Sequence, residues 1–404
     1  MRFSIPFATI VTLTLTLFVT RSSAISILLG NDDGFAAAQV REFYRLLKAD
    51  GHQVVLVAPA DNESGQGGRS VFTTSRNLTV ASEFGLIPAG APSLGRDPAD
   101  PDVWYYNGTP AACTYVALDY VLPTFYDNRT VDLYLGGPNF GLNAGPFYYT
   151  LSGTIGGTYA AIGRNLPGIA FSGANSEQRS YTWINQTTVS GYPDPATIHA
   201  QLAVDIVTQL VGASKPGERL LPLGYGISVN APFITSLTND SCISPSFIQT
   251  RITGGAVTDR TVYNATTGTF GFANELTAAI NTCINGDCAL PGETDVVDSG
   301  CAVAVSVFSI DYDAPLGPAQ AGVRQALAPL VGFEKAERGK GSKRSIMVKA
   351  REGLSSKCGP EPDPGSLFFA SASAPASVSQ FGARASEVMQ SDCKYCANTD
   401  FFFM

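Results

Sequence analysis

Ile25-Ser26-Ile27-Leu28-Leu29-Gly30-Asn31-Asp32-Asp33-Gly34 is the stretch that decides the fold. Its first six residues form a short apolar run, as expected of a strand buried on both faces in a parallel sheet. From about Ala36 to Asp50, Val40, Phe43, Leu46 and Leu47 recur at helical spacing, and Gly51 is a natural C-cap. A second apolar run, Val54 to Ala58, ends at Pro59. Strand, helix and strand in that order open a doubly wound α/β fold, in which ligands gather at the carboxyl ends of the strands. Two adjacent acids occupy that end of the first strand. At ~4 Å two like charges repel by about 4 kcal/mol at an effective dielectric of about 20. A strand would send Asp32 and Asp33 to opposite faces. A turn at Gly34 brings both to one spot, and a cation between them is the simplest reason for the pairing.

Further along, Thr109 to Leu122 reads as a helix with Pro110 in its first turn. Val131 to Gly136 reads as a strand, Leu151 to Arg164 as a helix, Pro167 to Ser172 as a strand and Ile198 to Val211 as an amphipathic helix. Gly226 to Asn230 and Ala302 to Ile310 read as further strands, and the Pro/Gly-rich stretch Gly85 to Asp102 as a surface loop. The expected fold class is α/β: a Rossmann-like, doubly wound, mostly parallel sheet with helices on both faces. A β-rich insertion or hairpin region is expected over about residues 233–300, which are rich in Thr, Asn and Gly.

The 404 residues are 45% hydrophobic and 15% charged, enough for a large core. A net charge of -8 argues against a nucleic-acid polymer as partner. Residues 1–24 read as a signal peptide: Arg2, an apolar segment from Ile10 to Val19, and small residues Ser22-Ser23-Ala24 for cleavage. That segment is too short and threonine-rich to span a bilayer, so the mature chain is expected to be secreted and free of the membrane. Sequons at Asn62, Asn77, Asn107, Asn128, Asn185, Asn239 and Asn264 fit export. Cys242, Cys283, Cys288 and Cys301 are expected to form two disulfides in one of three pairings, and Cys113 to be a buried thiol. The folded domain is expected over residues 25–332. Residues 333–404 are basic at first, then rich in Pro, Ser and Ala, and read as a disordered tail.

Three glycine-rich turns are placed to reach the edge that carries Asp32 and Asp33. They are Ala58 to Ser70 with Ser64, Gly136 to Gly145 with Asn139 and Asn143, and Ser152-Gly153-Thr154-Ile155-Gly156-Gly157. Such turns bring backbone N–H groups close to phosphate oxygens. Oxygens of Ser64 and Asn139 complete an all-oxygen shell with the two acids, which suits Mg²⁺, Mn²⁺ or Ca²⁺.

Five landmarks in order resemble the survival protein SurE family of metal-dependent phosphatases and nucleotidases. They are Leu28 to Gly34, Val57-Ala58-Pro59 with Ser64, Asn107 to Cys113, Pro138 to Asn143, and Ser152-Gly153-Thr154. The resemblance runs from about Ile25 to Pro315, and the cysteine-bearing insertion looks like that of a secreted fungal acid-phosphatase-type member. It implies Asp32, Asp33, Ser64 and Asn139 as metal ligands, Asn143, Ser152, Gly153 and Thr154 as phosphate-binding residues, and Asp32 and Asp33 as the catalytic pair. Asp32 is the one expected to handle water as well. It further implies one divalent cation, Mg²⁺ or Mn²⁺, a small phosphate ester such as a nucleoside monophosphate, and a homodimer. The family's usual aliphatic residue before the ligand asparagine is here Pro138, and its Ser-Gly pair is Gly136-Gly137.

Two other readings compete. Ala302 to Ile310 followed by Asp311-Tyr312-Asp313 superficially resembles the nucleophile motif of haloacid-dehalogenase-type phosphatases. A non-catalytic secreted glycoprotein that keeps the scaffold as a binding module is the other. With only two histidines, His52 and His199, the chain is too poor in imidazole for histidine-nucleophile or His-rich bimetal phosphatase chemistry.

Overall fold

A computed structural model of the chain describes residues 24–174, 178–184, 188–215, 217–255, 260–273 and 281–331. The expected leader up to Ser23 and the 333–404 tail lie outside these residues. In β1 (Ser26–Gly30) successive side chains alternate between two buried faces. Ile27 and Leu29 join a core cluster with Val40, Phe43 and Leu47 of α1 (Ala38–Ala49). Leu28 joins a second cluster on the other face. Each such side chain, fully buried, contributes about 1.5–3 kcal/mol relative to exposure. After α1, Gly51 at φ 91° turns the chain into β2 (Gln53–Pro59), which pairs parallel with β1.

The chain continues through β3 (Leu94–Asp97), β4 (Asp100–Tyr106), α2 (Pro110–Val116), a π turn over Ala117–Val121 and α3 (Leu122–Phe125). Then come β5 (Leu133–Phe140), α4 (Gly145–Leu151), α5 (Gly153–Gly163), β6 (Gly168–Gly173), α6 (Pro195–Ala213) and β7 (Tyr225–Ala231). Last come β8 (Ser246–Thr250), β9 (Arg260–Asn264), β10 (Thr269–Ala273), α7 (Glu293–Asp298) and β11 (Ala302–Ser309). Nine strands form one sheet in the order β3-β4-β2-β1-β5-β6-β7-β11-β8. All its pairings are parallel except β3 with β4 and β7 with β11. α1 and α6 cover one face; α2 and α5 cover the other. The expected doubly wound α/β architecture is present. From β1 the sheet grows one way through β2 and β4 and the other way through β5, β6 and β7. The crevice at the carboxyl ends of β1 and β5 is therefore the topological switch point, where such folds bind ligands.

Several elements differ from the sequence expectation. The stretch read as a loop to Asp102 contains β3 and the start of β4, and β4 lies inside the sheet with Val103 to Tyr106 buried. A separate helix, α4, precedes α5. Within the expected insertion, β9 and β10 form the anticipated hairpin, whereas β8 extends the main sheet beside β11. Among the described residues the disulfides are Cys242–Cys301 and Cys283–Cys288, and Cys113 is a buried free thiol. One compact unit runs to Asp313, and a second begins at Ala314, with a helix over Pro318–Leu327 among its described residues.

Candidate active site

Asn31 builds the turn that follows β1. Its Oδ1 accepts from the Asp32 N–H (2.7 Å) and the Asp33 N–H (3.1 Å), and Gly34 at φ 95° completes the reversal in a conformation suited to glycine. Both acids are sealed from solvent, Asp32 at 2% exposure and Asp33 at 1%. The switch point thus holds two adjacent buried carboxylates, as anticipated.

Each carboxylate has its own clamp. Thr154 donates its Oγ1–H to Asp32 Oδ1 (2.6 Å) and its backbone N–H to Asp32 Oδ2 (3.1 Å). Gly153 adds a backbone hydrogen bond and packs so closely that a Cβ there would sit 2.9 Å from the Asp32 side chain. Asp33 Oδ2 accepts from the Phe140 N–H (2.6 Å), and the Asp33 carboxylate also meets the Ser64 hydroxyl. Asn139, next to Phe140 at the end of β5, donates Nδ2 to the carbonyls of Phe140 (3.1 Å) and Gly141 (3.0 Å). No described donor meets its Oδ1.

Burial is the main force raising both carboxyl pKa values. Thr154 counters it at Asp32, whereas the charge of Asp32 adds to it at Asp33. Glu83 faces the same turn behind Gly34 and is itself pushed up to about 8 by burial and by Asp61. Among the described residues no ion pair neutralises Asp32 or Asp33. Buried charges are stable only when compensated, and a bound cation would compensate this pair. The available donors are oxygens alone, from Asp32, Asp33, Ser64 and Asn139. Among the described residues His, Cys, Asp and Glu do not gather in threes. Two charged and two neutral oxygen donors fit a hard divalent cation.

The expected phosphate-side residues divide into two groups. The Ser152-Gly153-Thr154 turn is organised around Asp32: both Thr154 donors go to it, while Ser152 caps α5 by accepting from the Ile155 N–H (3.1 Å) and keeps its own hydroxyl proton. Asn143 stands over the neighbouring strands, donating Nδ2 to Ser172 Oγ on β6 (2.7 Å) and its N–H to Asn230 Oδ1 on β7 (2.9 Å). One Nδ2 hydrogen of Asn143 is left over. Thr109 ties down the loop that carries Ser64, donating to the Arg69 carbonyl (2.6 Å) and accepting from the Val71 N–H (3.0 Å).

Sequence reasoning missed the supports behind these residues: Ser172, Asn230, Gln178 and Glu293. Gln178 donates to the Asp33 carbonyl (3.1 Å) and accepts from Asn62 Nδ2 (3.0 Å). None lies in a glycine-rich motif, and only tertiary contacts reveal them. Neither histidine belongs to the site, and both are buried: His52 accepts from the Ile25 N–H and His199 meets the Pro232 carbonyl. The rival nucleophile run fails on geometry. β11 is antiparallel to β7, so Asp311 leaves the sheet at the edge opposite Asp32.

Fold and site together define a class: a Rossmann-like α/β protein whose switch point holds paired carboxylates in an all-oxygen donor set. Within that class the chain belongs to the Survival protein SurE family, whose model matches residues 27–258. A relative from Yarrowia lipolytica named "Acid phosphatase" is 43% identical over 297 residues, covering 73% of this chain and 82% of its own. The "5'-nucleotidase SurE" of Desulfovibrio desulfuricans is 32% identical over 148 residues, covering 37% of this chain and 49% of its own, about half its length. The crystal structure of the SurE protein from Aquifex aeolicus shares the fold, with a TM-score of 0.50 at 23% identity over 76% of this chain and 99% of that one.

Proposed function

We propose that this phosphomonoester hydrolase is a cation-dependent acid phosphatase or nucleotidase that acts outside the cell on nucleoside monophosphates and similar small phosphate esters. The observation that carries the reading is the buried Asp32–Asp33 pair, held in place by Thr154 and Phe140. Names of relatives, acid phosphatase and 5'-nucleotidase, point the same way.

Asp32, Asp33, Ser64 and Asn139 would hold the cation, Mg²⁺ or Mn²⁺. When bound, such an ion polarises phosphoryl oxygens and acidifies water. The chain's own groups do the rest. The remaining Nδ2 hydrogen of Asn143 and the Ser152 hydroxyl are donors for phosphate oxygens, where charge develops during transfer. Asp32, fixed in orientation by Thr154, keeps lone pairs with which to orient and deprotonate the attacking water.

Export is supported by the two disulfides and by exposed sequon asparagines at Asn77, Asn128, Asn239 and Asn264. At Asn62 the Nδ2 that a glycan would occupy donates to Gln178 Oε1 (3.0 Å), and Gln178 also holds the Asp33 carbonyl, so a glycan there would crowd the acid pair and we expect none, which a glycopeptide map checks.

Phosphate release from a chromogenic ester and from nucleoside monophosphates, with Mg²⁺, Mn²⁺ or chelator, tests the function. Turnover that needs the cation and is lost in Asp33→Ala is the expected result. No turnover with either ion would sink the enzyme reading and leave a binding module.

A further inference from the structure

The turn that carries Asn143 and Gly145 is held from a part of the chain far beyond it in sequence. Gly145 donates its N–H to Glu293 Oε1 (2.8 Å) across a separation of 148 residues. Glu293 Oε2 accepts from Ser306 Oγ (2.9 Å), which in turn meets Thr250 Oγ1 (2.7 Å). Asn230 joins the two halves. Its Oδ1 accepts from the Asn143 N–H, and its side chain also hydrogen-bonds the Glu293 carboxylate. With Oδ1 turned to Asn143, the group that meets Glu293 is the Nδ2 donor, so an acceptor at Glu293 fixes which way the amide faces. Packing acts in the same direction: Ala144 shares a small core cluster with Val296 and Val297 of α7.

Glu293 is fully buried, and no cation pairs with it among the described ion pairs. A carboxyl group in that position is costly unless hydrogen-bonded, and the bonds from Gly145, Ser306 and Asn230 offset that cost. It also lies beyond residues 27–258, the stretch matched by the family model.

We propose that Glu293 is a positioning residue for phosphate binding. From α7 it holds Gly145 directly and Asn143 through Asn230, and so fixes the turn between β5 and α4 against the substrate's phosphate. The proposal rests on the reading of that turn as the phosphate site. It also makes a chemical distinction. A glutamine can accept from Gly145 and Asn230 with Oε1 while donating Nε2 to Ser306, whose hydroxyl turns to Thr250. A leucine fills the space and accepts nothing.

The test compares full-length wild type, Glu293→Gln and Glu293→Leu, with Asn230→Ser as a milder variant that removes the acceptor of Asn143. Steady-state hydrolysis of a chromogenic phosphate ester gives kcat and KM. Inhibition by inorganic phosphate reports the ground-state site, and Mn²⁺ titration reports the acid pair. Glu293→Leu and Asn230→Ser should each raise KM and the phosphate inhibition constant about tenfold, with Mn²⁺ affinity unchanged, and Glu293→Gln should restore both constants. If Glu293→Leu does not fold, Asn230→Ser carries the same comparison. Wild-type KM and phosphate inhibition in either variant, or a glutamine variant as impaired as the leucine one, would overturn the role of Glu293. A wild type that neither turns over nor binds phosphate would overturn the phosphate reading itself.

Discussion

Thr154 commits both of its donors to one carboxylate, and that makes it the residue on which the orientation of Asp32 depends. A hydrogen bond to a charged group contributes about 1.5–3 kcal/mol. Thr154→Val keeps the volume and removes the hydroxyl. It should lower kcat/KM about ten- to a hundredfold, and Thr154→Ser should stay near wild type. Phosphate-release kinetics on the two variants decide the point, and equal activity in valine and serine would remove Thr154 from the site's support. Asp32 and Asp33 could be singled out from sequence because they are adjacent and follow an apolar strand, so their proximity is built into the chain. The role of Thr154 could not be read that way. Its partner is 122 residues distant, and a threonine in a glycine turn looks the same whether it faces a phosphate or an aspartate.

α5 shows how an element reaches the site through its shape. A Cβ at Gly156 would collide with the backbone of Gly67 and Gly68, in the loop that carries Ser64, whereas a Cβ at Gly163 near the helix end meets nothing within 4 Å. The same loop is pinned to the end of α4, because the Gly67 N–H donates to the Leu151 carbonyl (2.8 Å). Gly156→Ala should therefore cost about 1–3 kcal/mol of stability and weaken cation binding by displacing Ser64. Gly163→Ala should stabilise by about 0.5–1 kcal/mol, the ordinary helix preference for alanine over glycine. Urea melts of both variants, with cation titration of the first, separate close packing from propensity. A neutral Gly156→Ala would show that the loop yields. At this scale β1, α1, β2, β5 and α6 were legible because each has a continuous apolar run or a helical stripe. β4 was not: it opens with Asp100-Pro101-Asp102 and becomes apolar only at Val103, so its place inside the sheet depends on β2 beside it. β8 was hidden for a related reason, since its identity as a sheet strand comes from β11, more than fifty residues later.

Across the whole molecule, two buried groups outside the acid pair set opposing pH dependences. Burial raises the Glu293 pKa from 4.5 to about 7, so between those values the native state holds a proton that the unfolded chain has lost, and stability falls as pH rises. Burial lowers the His199 pKa from 6.5 to about 4, so there the unfolded chain holds the extra proton, and stability falls as pH drops. Each effect is worth about 3 kcal/mol at full extent, and over roughly pH 4.5 to 6.5 they run in opposite directions. The pair forms two opposed arms through mildly acid conditions, and Glu83, also pushed up by burial, acts on the same side as Glu293. The two arms are separable. In chemical denaturation between pH 4 and 8, Glu293→Gln should gain stability relative to wild type as pH rises from about 4.5 to 7, because the arm that favours acid has been removed. His199→Gln should lose stability relative to wild type as pH rises from about 4 to 6.5. The differences from wild type matter here rather than the absolute values, since both substitutions also disturb packing and hydrogen bonds by a pH-independent amount. If both difference curves are flat, neither group titrates out of register with the unfolded chain, and the pH response of the fold lies with the other buried carboxyls, Glu83 and the acid pair among them.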